Sequence, residues 1–141
     1  VPIIADHLGG MQGASKLLSH VAKDGVLSQM GFISLLTLAK LSKVIVKISG
    51  LYRASDRTTA RFDDTREIIE AFAKEIPDQC IWGSDWPHTG EGKDRTKQRS
   101  LSTMEPFRVI DNQALLENLR KWVGSEVWGK MMRENPARIF Q

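Results

Sequence analysis

Apolar residues fall along this chain in two rhythms. Three short runs are apolar almost throughout: Val1 to Ala5, Val44 to Ile48 and Cys80 to Trp82. Each is too short for a helix and shows little polar alternation, which predicts strands covered on both faces. Between them, apolar positions recur at helical spacing, in Phe32, Leu35, Leu36 and Ala39 and again in Ile68, Ile69, Phe72, Ala73 and Ile76. Asp64 and Glu67 make an acidic version of the capping box at the start of the second helix, and Pro77 closes it. Strand, helix, strand, helix, strand predicts parallel strands joined by right-handed crossovers.

The remaining segments are less regular. Leu17, Leu18 and Val21 give an amphipathic turn or two over 15–22, ended by Lys23-Asp24-Gly25. The polar segment 89–103, rich in Gly, Lys, Arg and Ser, reads equally as a lid over a pocket and as a surface loop. After it, Leu115, Leu116, Leu119, Trp122 and Val123 form one stripe, stopped by Gly124. Ser125 can cap a further helix with Val127, Trp128, Met131 and Met132 inward, and Asn135-Pro136 starts a last turn.

Every predicted strand runs into a polar cluster. The first ends in Asp6-His7-Leu8-Gly9-Gly10, the second in Ser49-Gly50-Leu51-Tyr52-Arg53, the third in Gly83-Ser84-Asp85-Trp86-Pro87-His88. Parallel strands bring all three clusters to one edge, the edge where barrel enzymes carry their chemistry. His7, Tyr52, Arg53, Asp85 and His88 then face a common cleft. Two of the chain's three histidines fall in these turns; the third, His20, is expected on an exposed helix face. A bland reading stands beside this one: Asp85 as a helix cap, Trp86 and Pro87 as a packing corner, His88 as a solvated residue.

Composition narrows the class without naming a substrate. With 41% hydrophobic and 26% charged residues in 141, the chain can build a core, and one domain is expected. The net charge of +3 is modest, and the basic cluster at 93–99 reads as a solvated loop rather than a nucleic-acid site. The single cysteine excludes an internal disulfide and agrees with a reducing, cytoplasmic setting. Cys80, within a strand, is expected to be a buried apolar residue and not a nucleophile. No run approaches transmembrane length, so no membrane partner is expected.

Four segments together resemble a known family. Asp6-His7-Leu8-Gly9, Val46-Lys47-Ile48-Ser49-Gly50 with Tyr52-Arg53, Trp82-Gly83-Ser84-Asp85-Trp86-Pro87-His88 and Asn135-Pro136-Ala137-Arg138-Ile139-Phe140 are similar, in that order, to the C-terminal half of the amidohydrolase-2 family. These TIM-barrel hydrolases include the 2-pyrone-4,6-dicarboxylate lactonases. The resemblance implies an α/β fold, the C-terminal half of a (β/α)8 TIM barrel spanning 1–141, with helices outside and a helical C-terminal tail. It also implies roles. Asp85 would take a proton from the attacking water, His7 would polarise the scissile carbonyl, and His88 would help bind substrate nearby. Arg53 would meet a substrate carboxylate, with Tyr52 and Trp86 as neighbouring substrate-binding positions. The implied reaction opens a carboxylated lactone, an anionic small molecule.

Metal-dependent relatives use a His-x-His pair that this chain lacks, and Ser49-Gly50 occupies a turn where a further histidine ligand would be expected. His7 and Asp85 alone are too few for a catalytic zinc, so no cofactor is expected. Two alternatives stay open: a metal-dependent hydrolase or decarboxylase with ligands upstream, and an inactive half-barrel serving in binding or assembly. A complete barrel needs roughly 250 residues or more. A chain of 141 that opens on Val1 inside a strand is therefore expected to be a cut piece of a longer chain, a partial gene model or a standalone half-barrel. Unpaired strand edges in a standalone piece would favour homo-oligomers or aggregation.

Overall fold

The computed structural model describes residues 3–59, 61–90, 104 and 106–141. Its centre is a sheet of three strands, β1 (Ile3–Ala5), β2 (Val44–Ile48) and β3 (Cys80–Trp82), in the order β1-β2-β3. Both pairings are parallel, with Ile4 opposite Ile45 and Lys47 opposite Ile81. Helix α1 (Ser19–Lys23) and helix α2 (Phe32–Lys40) lie in the first crossover. The second crossover carries the single turn α3 (Leu51–Ala54) and helix α4 (Arg66–Glu75).

The period of two along β2 divides the two sides of the sheet. Val46 and Ile48 join Cys80 in a core built with Phe32, Leu36, Ala39, Ile68, Ile69 and Phe72 from the helices. Phe32 and Phe72 stack with ring centroids 5.7 Å apart, fixing α2 against α4. Lys47, between Val46 and Ile48, points to the opposite side of the sheet.

The tail is helix α5 (Asn112–Gly129), a π-helical turn (Lys130–Glu134) and helix α6 (Asn135–Ile139). Gly124, at φ 76° and ψ 165°, interrupts α5 where its apolar stripe ends. Asp111 caps the helix by accepting from the Ala114 amide at 3.0 Å. Asn135 is buried, and its Nδ2 donates to the carbonyls of Pro77 (2.9 Å) and Cys80 (2.8 Å), tying the tail to the start of β3.

Two expectations need correction. β1 is not covered on both faces: Ile3 is 67% and Ile4 38% exposed. The sheet is open and β1 is its edge, so an apolar run there has β2 on one side only. The capping box does not form either. A 3-10 turn (Asp63–Thr65) precedes α4, and the Asp64 carboxylate turns away to accept from the Ser15 amide (2.9 Å), the Ser15 hydroxyl (2.6 Å) and the Ser55 hydroxyl. Those bonds outweigh the cost of burial and hold the Asp64 carboxyl below its ordinary pKa.

The expectations for His20 and Cys80 hold. His20 is exposed on α1. Cys80 is buried and unbridged; burial, with a smaller contribution from Asp78, pushes its thiol up to about 12, which suits packing and not nucleophilic attack. Most of the segment 89–103, including the basic cluster, lies outside the described residues. Among the described residues no helix is long and apolar enough to cross a membrane.

Candidate active site

The three turns leaving the strands do lie at one edge, and their backbone is unusual there. His7 (φ 49°), Asp85 (φ 63°) and His88 (φ 54°) all adopt left-handed conformations, as does Gly50 (φ 55°) between them. Side-chain-bearing residues in this region cost of order 1–3 kcal/mol each and cluster at functional sites. Trp86-Pro87 is a cis peptide. Gly50 is the meeting point. A Cβ built on it would stand 2.8 Å from Asp85 Oδ2, 2.8 Å from His7 Nδ1 and 3.3 Å from Arg53 Cδ. Only glycine leaves the space that the carboxylate and the imidazole both border.

Asp85 is held by two donors. The Tyr52 hydroxyl donates to its Oδ2 at 2.6 Å and Arg53 Nε donates to the same oxygen at 2.7 Å. Its side chain is 16% exposed. Burial pushes the carboxyl up, but the bonds from Tyr52 and Arg53, and the charges of Arg53 and His7, outweigh it and hold the pKa below the ordinary value. Asp85 is therefore ionised at neutral pH. The same pairing acts on Tyr52, whose buried phenol is pushed up to about 12 by desolvation and by its bond to Asp85, so it remains a donor. Arg53 also reaches Thr89 Oγ1 through Nη2 at 3.1 Å and lies over the Tyr52 ring, 5.0 Å from its centroid.

His7 belongs to a second group. The Ser49 hydroxyl donates to Asp6 Oδ1 at 2.6 Å and stands 3.3 Å from His7 Nδ1. Asp6 Oδ1 also accepts from the His7 amide at 2.9 Å, and Lys47 Nζ lies 3.2 Å from both Asp6 oxygens. Burial raises the Asp6 carboxyl, but Ser49, the His7 amide, Lys47 and His7 together lower it below its ordinary pKa. Lys47 reaches Asp6 across Gly83, where a Cβ would meet Lys47 Cε at 2.5 Å. A lysine on β2 and a glycine just after β3 thus fit each other.

His88 and Trp86 are placed differently from His7 and Asp85. His88 is 6% exposed, edge-on to Tyr52 with centroids 5.7 Å apart, and its Nε2 is 3.1 Å from Asn112 Nδ2. Its Nδ1 is buried without a hydrogen-bond partner among the described residues. It packs against Tyr52 and Asn112. Trp86 is 77% exposed at the rim. Arg108 joins the cluster, its guanidinium carbon 5.4 Å from the Tyr52 ring centroid and its amide donating to the His88 carbonyl at 2.8 Å.

Of the residues read from the sequence, His7, Arg53, Tyr52 and Asp85 come together, His88 backs them and Trp86 flanks them. Sequence reasoning gave no role to Asp6, Lys47, Ser49, Gly50 or Thr89, although the first four lie in the motifs that pointed to the site. No group of three or more His, Cys, Asp or Glu side chains that could hold a metal occurs among the described residues. His7 and Asp85 are the two candidate donors, and the donors of Tyr52 and Arg53 already occupy one Asp85 oxygen. These residues by themselves do not compose a catalytic metal site.

A sheet of parallel strands with helices packed on it, and a carboxylate, an imidazole and a guanidinium at the strand C-terminal ends, is the arrangement expected of a segment of a (β/α)8 barrel. The amidohydrolase family model matches residues 1–141, and the chain belongs to that family. It is 31% identical over 140 residues to 4-sulfomuconolactone hydrolase of Rhizobium radiobacter, covering 99% of this chain and 39% of that protein. It is also 31% identical to the enzyme of the same name from Hydrogenophaga intermedia, with the same coverage. The chain thus spans about two fifths of the length of these curated relatives. Among solved structures, a candidate 2-pyrone-4,6-dicarboxylic acid hydrolase from Pseudomonas putida superposes with TM-score 0.65 at 24% identity, over 99% of this chain and 43% of that one. The fold is accordingly an open, three-stranded part of an amidohydrolase-like barrel.

Proposed function

We propose that this chain supplies the water-activating carboxylate and the carbonyl-facing imidazole of a hydrolase that opens a lactone bearing acidic groups. The observation that carries the reading is the convergence of Asp85 and His7 on Gly50, with Asp85 held ionised by Tyr52 and Arg53. Both of those bonds fall on Oδ2, which leaves Oδ1 to accept a proton from water. The water oxygen attacks the lactone carbonyl as its proton passes to Asp85. The oxygen that becomes negative faces His7, and collapse breaks the ring C–O bond, whose leaving oxygen takes up the proton that Asp85 received from water, restoring the carboxylate. Relatives named as 4-sulfomuconolactone hydrolases and a structural neighbour named for a pyrone dicarboxylate support an acidic lactone as substrate.

In the same reading the remaining roles divide among the neighbours. Tyr52 is buried and acts by holding Asp85; His88 backs Tyr52; Trp86 forms the rim. Arg53 holds Asp85 through Nε, and its Nη2, now on Thr89, is suited to an acidic group of the substrate. The reaction uses no metal in this reading. The exposed edge of β1 favours assembly with further strands, and we place the protein in the cytoplasm, in keeping with its single buried thiol. Ring opening followed by loss of the lactone absorbance, with 4-sulfomuconolactone and 2-pyrone-4,6-dicarboxylate as substrates, tests the reading. Turnover of neither acidic lactone, with a neutral lactone hydrolysed instead, would overturn it.

A further inference from the structure

We infer that Asp6 and Ser49 are positioning residues that fix the tautomer of His7, keeping the proton on Nδ1 and presenting Nε2 to the substrate. A serine hydroxyl has one proton to give. Ser49 Oγ gives it to Asp6 Oδ1 at 2.6 Å, an oxygen that only accepts because the carboxyl is ionised. At its 3.3 Å contact with His7 Nδ1, Ser49 can therefore only accept, so the proton must be on Nδ1. Asp6 Oδ1, 3.6 Å from the same nitrogen, reinforces that choice by its charge.

The direction of the chain of bonds is set at its far end. Lys47 Nζ, 3.2 Å from both oxygens of Asp6, favours the ionised carboxylate, and Gly83 leaves the space in which the lysine stem lies. Ser49 is 2% exposed, so water does not compete for its hydroxyl. Asp6 belongs to the turn after β1 whereas Lys47 lies in β2 and Ser49 directly follows it, so the device also locks the register of two site-bearing turns. Held in this form, His7 donates from Nε2 only when protonated, and that is the form suited to the oxygen that becomes negative; the neutral ring offers Nε2 as an acceptor.

The test is the histidine side-chain nitrogen spectrum of the protein at about pH 9, well above the ordinary histidine pKa. With three histidines in the chain, His7 is assigned by the signal lost in His7→Gln. The neutral histidine side chain in water favours the Nε2–H form, so the opposite tautomer needs a structural cause. The expected result is Nδ1–H at His7. Ser49→Ala should move the tautomer ratio about tenfold toward Nε2–H, the effect of one hydrogen bond of ordinary net strength. Ser49→Thr should restore it. Asp6→Ala should do more than weaken the effect: with its acceptor gone, the Ser49 hydroxyl can donate to Nδ1, and His7 should become Nε2–H with Ser49 still present.

An Nε2–H tautomer in the unaltered protein overturns the inference, as does an unchanged tautomer in Asp6→Ala. If Ser49→Ala does not fold, the unaltered protein, Ser49→Thr and Asp6→Ala decide. The inference rests on the proposed function only in what it says about the substrate. A correct tautomer with no lactone turnover would count against that function and leave the network intact, whereas turnover with the wrong tautomer would do the reverse.

Discussion

Removing the Tyr52 hydroxyl isolates the contribution of one donor to the ionisation of Asp85. In Tyr52→Phe the ring that packs against His88 and lies under Arg53 is kept, and only the 2.6 Å bond to Asp85 Oδ2 is lost. A hydrogen bond to a charged group contributes about 1.5–3 kcal/mol. Arg53 still pairs with the same oxygen at 2.7 Å, so the lower end applies, about 1.5 kcal/mol, which raises the Asp85 pKa by about one unit. The sign follows from the direction of the native shift. Asp85 has a folded pKa below its unfolded value, so it contributes stability that is fully present above the unfolded pKa, near 3.9, and is lost as pH falls through the folded one. Tyr52→Phe should therefore melt about 5 °C lower at neutral pH. The gap should close on acidification, once Asp85 is protonated in both proteins. In the pH dependence of kcat/KM the acid limb should move up by about one unit. A melting difference that persists undiminished into acid, or an acid limb that does not move, would refute the reasoning.

Other perturbations probe the neighbouring contacts. Gly50→Ala places a Cβ 2.8 Å from both Asp85 Oδ2 and His7 Nδ1 at a φ of 55°; it should cost about 1–3 kcal/mol by thermal unfolding and reduce turnover at least tenfold, and full activity would show that the two groups need not converge there. Arg53→Ala should raise KM for acidic lactones far more than for neutral ones and also raise the Asp85 pKa; equal effects on both substrate classes would remove its anion-binding role. Asn135→Ala leaves the carbonyls of Pro77 and Cys80 without their donor and should cost about 1–3 kcal/mol in denaturant unfolding, with no change in KM.

Much of the fold is legible in the sequence because its elements obey their local periods. Val44 to Ile48, the stripe from Ile68 to Ala73 and the break at Gly124 all appear where the pattern puts them. What the pattern cannot supply is the identity of the covering partner. Ile3 and Ile4 read like Ile45 and Val46, yet they lie on an open edge, because apolarity marks a face as coverable without saying what covers it. Asp64 has the spacing of a helix cap, but Ser15 and Ser55 arrive from distant segments and take its oxygens.

The site divides in the same way. The strand ends carrying His7, Arg53 and Asp85 follow from parallel topology. The Asp6, Lys47 and Ser49 group was invisible because a lysine inside a β-branched run signals nothing until Gly83, just after β3, is seen to make room for it. His88 gave the opposite difficulty. It shares its residue type with His7 and also follows a strand, and only the structure reveals Tyr52 and Asn112 packed around its ring.

The most direct test of Asp85 as the water-activating base is kcat/KM for 4-sulfomuconolactone in the unaltered protein and in Asp85→Asn, with the fold of both checked by circular dichroism. Asp85→Asn keeps the shape and one acceptor but cannot take a proton from water, so turnover should fall by about 100-fold to 10,000-fold while the fold persists. A folded Asp85→Asn variant that opens the lactone at the unaltered rate would contradict the assignment of Asp85 as the base.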